Sequence, residues 1–147
     1  VDIDNDAVEY ANDVYGQEDI EFRWASAYET TLEPECVDVI TSFETLEHLE
    51  DEHALLLEFS RILRPKGTLV ISTPNLWPCA THPHHVREYD RAGFLEALSK
   101  QFVVQQIYNQ NSGGASEFNR GQPRGIVPTT DDNHLSAECF IAVCEKR

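Results

Sequence analysis

The sequence predicts an α/β protein in which helices flank a mostly parallel sheet and the last strand runs antiparallel to it. Two observations indicate this fold class. Residues 37–75 show the pattern strand, loop, helix, turn and strand, and a crossover of this length joins parallel strands. Residues 102–108 and 137–144 are both typical of strands, and the polar stretch 109–135 between them has no helical pattern. Two strands joined without a helix pair antiparallel, and the stretch that joins them is predicted to be a long loop.

Each element within residues 37–75 is predicted from its own residues. Residues 37–40 form the β-branched run of a buried strand, and residues 43–51 are too acidic to lie inside a sheet. Residues 52–63 place apolar side chains at helical spacing, and a proline and a glycine within residues 64–67 stop that helix. Residues 68–72 form the second strand. Because ligands of open parallel sheets bind beyond the carboxyl ends of strands, the acidic loop and the segment after the second strand are the candidate site.

The remaining elements are predicted from their periodicity and their end signals. Residues 5–15 and 91–100 each place apolar side chains on one helical face, and Gly16 ends the first of these helices. Residues 1–3 and 20–25 are predicted to be two further strands, the second from its alternation of apolar and polar residues. The N-caps expected for the two helices are Asp4 and Asp90.

Length and composition indicate one domain of 147 residues with an unusually acidic surface. The 26 acidic and 11 basic residues give a formal net charge of −15, which disfavours a nucleic-acid partner because it repels phosphate backbones. No apolar run approaches the ~20 residues of a membrane span. The cysteines show no C-x-x-C spacing, so they are predicted to be reduced thiols of a cytoplasmic protein: Cys36, Cys79, Cys139 and Cys144. The oligomeric state is left open.

The segment from Asp38 to Asn75 resembles the second half of a class I S-adenosylmethionine-dependent methyltransferase domain. The resemblance is carried by DVITSFETLEHLED, LRPKG and LVISTPN in this order and spacing. It implies a Rossmann-like fold with an antiparallel C-terminal strand, S-adenosylmethionine as cofactor, and methyl transfer to oxygen or nitrogen of a small-molecule acceptor. A noncatalytic remnant is the interpretation from another functional class.

The resemblance also implies five cofactor-binding residues. Asp2 occupies the position of the carboxylate that accepts both ribose hydroxyls, although it could equally do no more than solvate the start of the chain. Ser26 stands where the family usually has the aspartate that binds the adenine amino group, and Ala27 supplies the adjoining backbone contact. Phe43 and Glu44 follow the strand where the family contacts the methionine and adenine ends, and a carboxylate there favours the sulfonium charge.

One expected motif is absent from the sequence. The resemblance implies a first strand that ends in a Gly-x-Gly-x-Gly loop, placed in the middle of the sheet, and no segment supplies it. Residues 1–147 are therefore predicted to be a single, N-terminally truncated methyltransferase domain. We expect it to bind the cofactor weakly on its own.

The candidate catalytic residues are His48 and His85, which could take a proton from an acceptor. Glu44-x-x-Glu47-His48 also resembles the metal motif of small-RNA 2′-O-methyltransferases and quinone-biosynthesis O-methyltransferases, and His85 matches a further ligand of the small-RNA enzymes. Two carboxylates and two imidazoles suit Mg²⁺, Mn²⁺ or Zn²⁺. Metal-assisted 2′-O-methylation of RNA is therefore the alternative activity. In the interpretation without metal, Glu47 and His48 cap the following helix and the histidines belong to a polar loop over residues 76–90.

Overall fold

The computed structural model describes residues 1–76, 82–111 and 124–147. The helices are α1 (Asn5–Tyr15), α2 (Glu52–Ile62) and α3 (Arg91–Ser99). The strands are β1 (Val37–Ser42), β2 (Leu63–Pro74), β3 (Phe102–Asn111), β4 (Gly125–Pro128) and β5 (Cys139–Lys146). Short 3₁₀ turns lie at Leu46–His48 and His134–Ser136.

The strands form one sheet in the order β1-β2-β5-β3-β4. β1 and β2 are parallel, with Ile40 opposite Leu69, as the intervening helix requires. β5 lies between β2 and β3 and runs antiparallel to both, with Val143 opposite Val70. The predicted α/β fold with an antiparallel C-terminal strand is therefore confirmed.

The turn predicted at residues 64–67 is present, although it interrupts the β1–β2 ladder rather than preceding it. Val37 pairs with Leu63 and Val39 pairs with Thr68, so the intervening residues of β2 loop outward. A Cβ atom on Gly67 would lie 2.8 Å from the Leu63 side chain and 2.9 Å from the Arg64 carbonyl oxygen. Glycine is required here because a larger residue would clash with backbone that cannot move aside.

The predicted strand over residues 20–25 is wrong. This segment makes two isolated bridges, a parallel one between Asp2 and Trp24 and an antiparallel one between Gln17 and Ile20. The Asp2 amide donates to the Arg23 carbonyl, and the Ala25 amide donates to the Asp2 carbonyl. Alternation of apolar and polar residues is not sufficient for a strand, because a strand also needs a hydrogen-bonded partner strand along its length. Without one, Trp24 is left 64% exposed.

The predicted loop over residues 109–135 is also partly wrong. β3 continues to Asn111, and β4 pairs antiparallel with it from Gly125 opposite Asn111 to Pro128 opposite Tyr108. The pairing of β3 with β4 was not recognisable from the sequence because asparagine occupies buried positions of β3, where an apolar residue is expected. Asn109 can be buried because it forms hydrogen bonds with Asn133 and Thr129. Residues 112–123 lie outside the described part of the chain, as does Cys79.

The core lies between the sheet and helices α2 and α3. Aromatic side chains fill its centre, where the stacked rings of Phe94 and Phe140 connect α3 to β5. Asp4 and Asp90 cap α1 and α3 as predicted, each accepting backbone N–H groups of the first turn. In the described ranges, no helix has the length and apolar character needed to cross a membrane.

Candidate functional site

The two predicted site segments meet at the carboxyl edge of β1 and β2. The Val86 amide donates to the Glu47 carbonyl over 2.9 Å, which joins the loop after β1 to the segment 82–90. The Leu76 amide donates to the Tyr89 carbonyl over 3.0 Å, which fixes the same segment to the end of β2. The topology therefore brings together residues that are nearly forty positions apart.

The loop after β1 turns inward at the 3₁₀ turn Leu46–His48. Leu46 is fully buried in the core, and this anchor forces Glu47 beneath the surface. The cap of α2 is Asp51, whose Oδ1 accepts from the Ala54 amide at 2.9 Å. The interpretation in which Glu47 and His48 cap this helix is therefore wrong, because a nearer carboxylate already fills that role.

The Glu47 carboxylate is the most unusual group in the site. Its residue is 1% exposed, and its Oε2 accepts from the Thr73 hydroxyl at 3.2 Å. Its Oε1 is buried and has no hydrogen-bond partner among the described residues. Burial, reinforced by the nearby Glu44 charge, raises the pKa of this carboxyl. A buried acceptor without a donor is costly, so Oε1 is suited to meet a cation or an N–H group of a ligand.

Two imidazoles flank this oxygen, and their tautomers follow from their other contacts. His48 Nδ1 lies 3.0 Å from the His84 carbonyl oxygen, which can only accept, so Nδ1 carries the proton. His85 Nδ1 likewise faces the Glu88 carboxylate at 3.3 Å. In the neutral rings both Nε2 atoms are therefore acceptors, and His48 Nε2 lies 3.7 Å from Glu47 Oε1.

Glu47, His48 and His85 form a compact set, which we call the acceptor cluster. Each offers one ligand atom, and these atoms all lie within 4.8 Å of one another. The His48 and His85 rings meet edge to face with centroids 4.8 Å apart. The two residues predicted as catalytic are thus placed side by side with a buried carboxylate.

Glu44, predicted both as a metal ligand and as a cofactor contact, has a different environment from the acceptor cluster. Ser72 Oγ donates to its Oε1 at 2.6 Å and accepts from its amide at 3.1 Å. The Cys139 thiol donates to its Oε2 at 3.5 Å, and burial raises the pKa of that thiol. The backbone of Glu44 has φ of 52°, a conformation that non-glycine residues seldom adopt. The Glu44 carboxylate is not one of the three groups in the acceptor cluster.

Two of the remaining predicted cofactor residues line a groove of about 350 Å³ along the open edge of β1. Ala27 and Phe43 line it, together with Val1 and Ser42. Asp2 lies next to this lining; its residue is exposed, and its Oδ1 accepts from the Asp4 amide at 2.9 Å.

Ser26 is the other predicted cofactor residue outside the groove lining. Its hydroxyl accepts from the Tyr28 amide at 3.2 Å, and its backbone bridges to Glu29. This side chain therefore stabilises its own turn.

Several residues of the site were not singled out from the sequence. Ser72 and Thr73 stand in the STPN motif at the end of β2, so their position was a usable signal. Cys139 carried no local signal, because its contact with Glu44 spans 95 positions.

A second network fixes the segment that carries His85. The Tyr89 hydroxyl donates to the Glu52 carboxylate, and Arg87 Nη1 pairs with the same carboxylate at 2.9 Å. Arg87 Nη2 also donates to the Glu50 carbonyl oxygen. Burial, followed by the hydrogen bond to Glu52, raises the pKa of the Tyr89 hydroxyl.

Comparison with known proteins gives a consistent result. Residues 1–71 match the model of a family described as "Methyltransferase domain". A probable S-adenosylmethionine-dependent methyltransferase of Mycolicibacterium smegmatis is 33% identical over 104 residues, which cover 67% of this chain and 40% of the relative. A probable S-adenosylmethionine-dependent methyltransferase of Mycobacterium tuberculosis is 37% identical over 75 residues, covering 51% of this chain and 27% of the relative. The matched parts thus span less than half of these curated relatives.

The fold has close counterparts among solved structures. A Thermotoga maritima S-adenosylmethionine-dependent methyltransferase, described as a possible histamine N-methyltransferase, superposes with a TM-score of 0.74 at 13% identity. That match covers 95% of this chain and 70% of the other. This likeness shows the fold, and the family model and the curated relatives show that the chain belongs to the S-adenosylmethionine-dependent methyltransferase family.

Proposed function

We propose that this chain contributes to an enzyme that transfers a methyl group from S-adenosylmethionine to oxygen or nitrogen of a small-molecule acceptor. The observation that carries the proposal is the acceptor cluster at the carboxyl edge of β1 and β2, reached from the same loop as the groove residue Phe43. In a family that uses S-adenosylmethionine, such a cluster provides the groups that an acceptor requires beside the methyl donor. The three free cysteines among the described residues support a reducing compartment such as the cytoplasm.

The residues present suit the cofactor in part. Asp2 Oδ1 is engaged by the Asp4 amide, which leaves Oδ2 to accept a ribose hydroxyl. Ala27 and Phe43 offer backbone and apolar surface on the groove. The Glu44 carboxylate, held by Ser72, would place a negative charge toward the sulfonium. The Ser26 hydroxyl fits less well, because the Tyr28 amide already donates to it.

The chain's own residues would have three tasks in the reaction. S-adenosylmethionine supplies a methyl group already activated by its sulfonium. Glu47 and Thr73 would orient the acceptor from beneath, and His48 Nε2 would accept the proton that the acceptor loses. His48 is suited to that step because its side chain is 40% exposed and can pass the proton to water.

Metal-assisted methylation is a second candidate function. Glu47, His48 and His85 could hold a divalent ion, with both imidazoles already oriented through Nδ1, and Glu44 would have to leave Ser72 to join them. An ion there would lower the pKa of a bound hydroxyl. RNA as the acceptor is disfavoured by the net charge of −15. Methylation that is abolished by EDTA and restored by Mg²⁺, Mn²⁺ or Zn²⁺ would support this candidate.

Calorimetric titration with S-adenosylmethionine tests the leading proposal, on a chimera that adds a Gly-x-Gly-x-Gly strand of a relative to this chain. In the chimera we expect Asp2→Ala to weaken binding by about 1.5–3 kcal/mol, the range of a hydrogen bond to a charged group. Asp13→Ala, at an exposed position of α1, is the matched control and should leave the affinity unchanged. Equal affinities for Asp2→Ala and the unaltered chimera would remove the ribose assignment. Absence of binding by the chimera would favour the noncatalytic interpretation.

A further inference from the structure

We infer that the acceptor cluster selects a primary amine, bound as its ammonium ion, and that the methyl acceptor is therefore nitrogen rather than oxygen. This inference rests on the proposed function and names the substrate class for the same site. It follows from the chemical character of Glu47 Oε1 and of the Nε2 atoms of His48 and His85, because the Nδ1 atoms of both rings are engaged outside the cluster.

All three atoms are acceptors. Glu47 Oε1 is a buried carboxylate oxygen without a donor among the described residues. Each imidazole carries its proton on Nδ1. The Nδ1–H of His48 donates to the His84 carbonyl oxygen, and that of His85 donates to the Glu88 carboxylate. A ligand that satisfies this set must bring donors, because each buried acceptor left unpaired costs binding free energy.

The common small-molecule acceptors differ in how many donors they bring. An alcohol has one O–H group and would leave two of the three acceptors unpaired, whereas a carboxylate has none and would face Glu47 as a like charge. A primary ammonium brings three N–H donors from one atom. Its single positive charge also neutralises the one carboxylate of the cluster, which favours binding where water is excluded.

The surroundings add to this preference. Glu44 lies three residues before Glu47, so a second carboxyl group stands near the cluster and a cation is favoured there over an anion. The side chain of His85 is 9% exposed, which limits competition from water for that imidazole.

The cluster also supplies the step that an ammonium needs before it can react. One N–H proton passes to His48 Nε2, and the neutral amine then turns away from the imidazolium so that its lone pair faces the methyl carbon. The lone pair then attacks the methyl carbon, the carbon–sulfur bond breaks, and its electron pair remains on sulfur. The products are a methylated ammonium ion, a neutral thioether and an imidazolium that returns its proton to water.

The test uses n-butylammonium chloride and 1-butanol as probes, in buffer with EDTA, and follows the imidazole ¹⁵N resonances of the unaltered chain by NMR. We expect butylammonium to bind at least tenfold more tightly than butanol and to shift the Nε2 signals of His48 and His85. Glu47→Gln should lower the butylammonium affinity to the level of butanol. Glu50→Gln, an exposed carboxylate on the same loop, should change nothing. If Glu47→Gln fails to fold, His48→Phe removes one acceptor at a more exposed position and should weaken butylammonium at least threefold.

Three results would overturn the inference. The first is equal affinity for butanol and butylammonium. The second is butylammonium binding that survives both substitutions. The third, measured in buffer without EDTA, is micromolar binding of Mn²⁺ at the same imidazole signals together with no response to butylammonium, which assigns the cluster to a metal. Titration of the chimera described above with S-adenosylmethionine and with butylammonium separates the two proposals. A chain that binds the cofactor but not the amine refutes the amine site alone, whereas binding of the amine alone refutes the proposed methyl transfer.

Discussion

Glu58 provides a test of how the loop that carries Thr30, on one side of the groove, is attached to the rest of the fold. Its side chain is 7% exposed on α2. It accepts from the Thr30 amide at 2.8 Å and the Thr30 hydroxyl at 2.6 Å, and from Arg61 Nε at 2.7 Å. Thr30 lines the groove beside Ala27, so this carboxylate connects the loop after residue 25 to the helix. Substitution of Glu58 by glutamine keeps the shape and removes the charge.

The stabilisation that Glu58 contributes follows from the difference between its pKa values in the folded and unfolded states. The hydrogen bonds from Arg61 first, and then those from Thr30, lower the pKa of Glu58 to about 2 from an ordinary value of 4.5. Because the pKa is lower in the folded state, the stabilisation is fully present above pH 4.5 and is lost as the pH falls toward 2. The difference corresponds to about 3 kcal/mol at pH 7 and to roughly half of that or less near pH 3.

Urea unfolding followed by circular dichroism measures this effect. We expect Glu58→Gln to lower the free energy of unfolding by about 2–3 kcal/mol at pH 7, with a gap that narrows steadily as the pH is lowered to 3. Glu21→Gln breaks the exposed ion pair with Arg23 and should leave the unfolding midpoint unchanged, which makes it the matched control. A Glu58→Gln protein as stable as the unaltered chain at pH 7, or a gap that is independent of pH, would refute the argument.

Two further substitutions test other parts of the fold. Tyr89→Phe removes the hydroxyl that donates to Glu52, and it should lower the free energy of unfolding in urea by about 1.5–3 kcal/mol because a charged acceptor loses its donor; an unchanged midpoint would show that the network does not stabilise the segment. Gly67→Ala should cost about 1–3 kcal/mol in thermal unfolding because its Cβ would meet Leu63 and the Arg64 carbonyl, and a variant that melts at the same temperature would contradict that clash.

The parts of the fold that the sequence predicted well are those in which local and tertiary signals agree. Helix α2 has an apolar face and a proline–glycine stop, and the structure begins and ends it within a residue of the expected bounds, although its cap is Asp51 rather than Glu47 or His48. Residues 20–25 had the alternation of a strand but no partner along their length, and partners are not visible in a local pattern. Strand β4 was missed for a different reason. The Asn109 side chain on the neighbouring strand β3 is buried because it forms hydrogen bonds with Asn133 and Thr129, and composition alone does not show such contacts.

The candidate site was predictable in its location but not in its internal pairing. Parallel topology placed the loop after β1 beside the segment after β2, so Glu47, His48 and His85 were expected to be near one another. The same argument predicted that Glu44 would lie with them. Its carboxylate instead accepts hydrogen bonds from Ser72 and Cys139, and the position of Cys139 is set by the antiparallel strand β5.

The backbone of Glu44 explains why these two glutamates diverge. A φ of 52° costs about 1–2 kcal/mol for a residue with a Cβ, and here Ser72 holds it by bonding both the amide and the carboxylate. The same turn rotates the chain so that Leu46 enters the core and Glu47 follows it inward, where Oε1 finds no donor among the described residues. One strained residue thus leaves the Glu44 carboxylate bonded to Ser72 and buries the Glu47 carboxylate beside two imidazoles. Local sequence patterns predict neither the strained backbone of Glu44 nor the burial of Glu47. Such departures from local rules concentrate at functional sites, where a ligand supplies the missing hydrogen-bond partner.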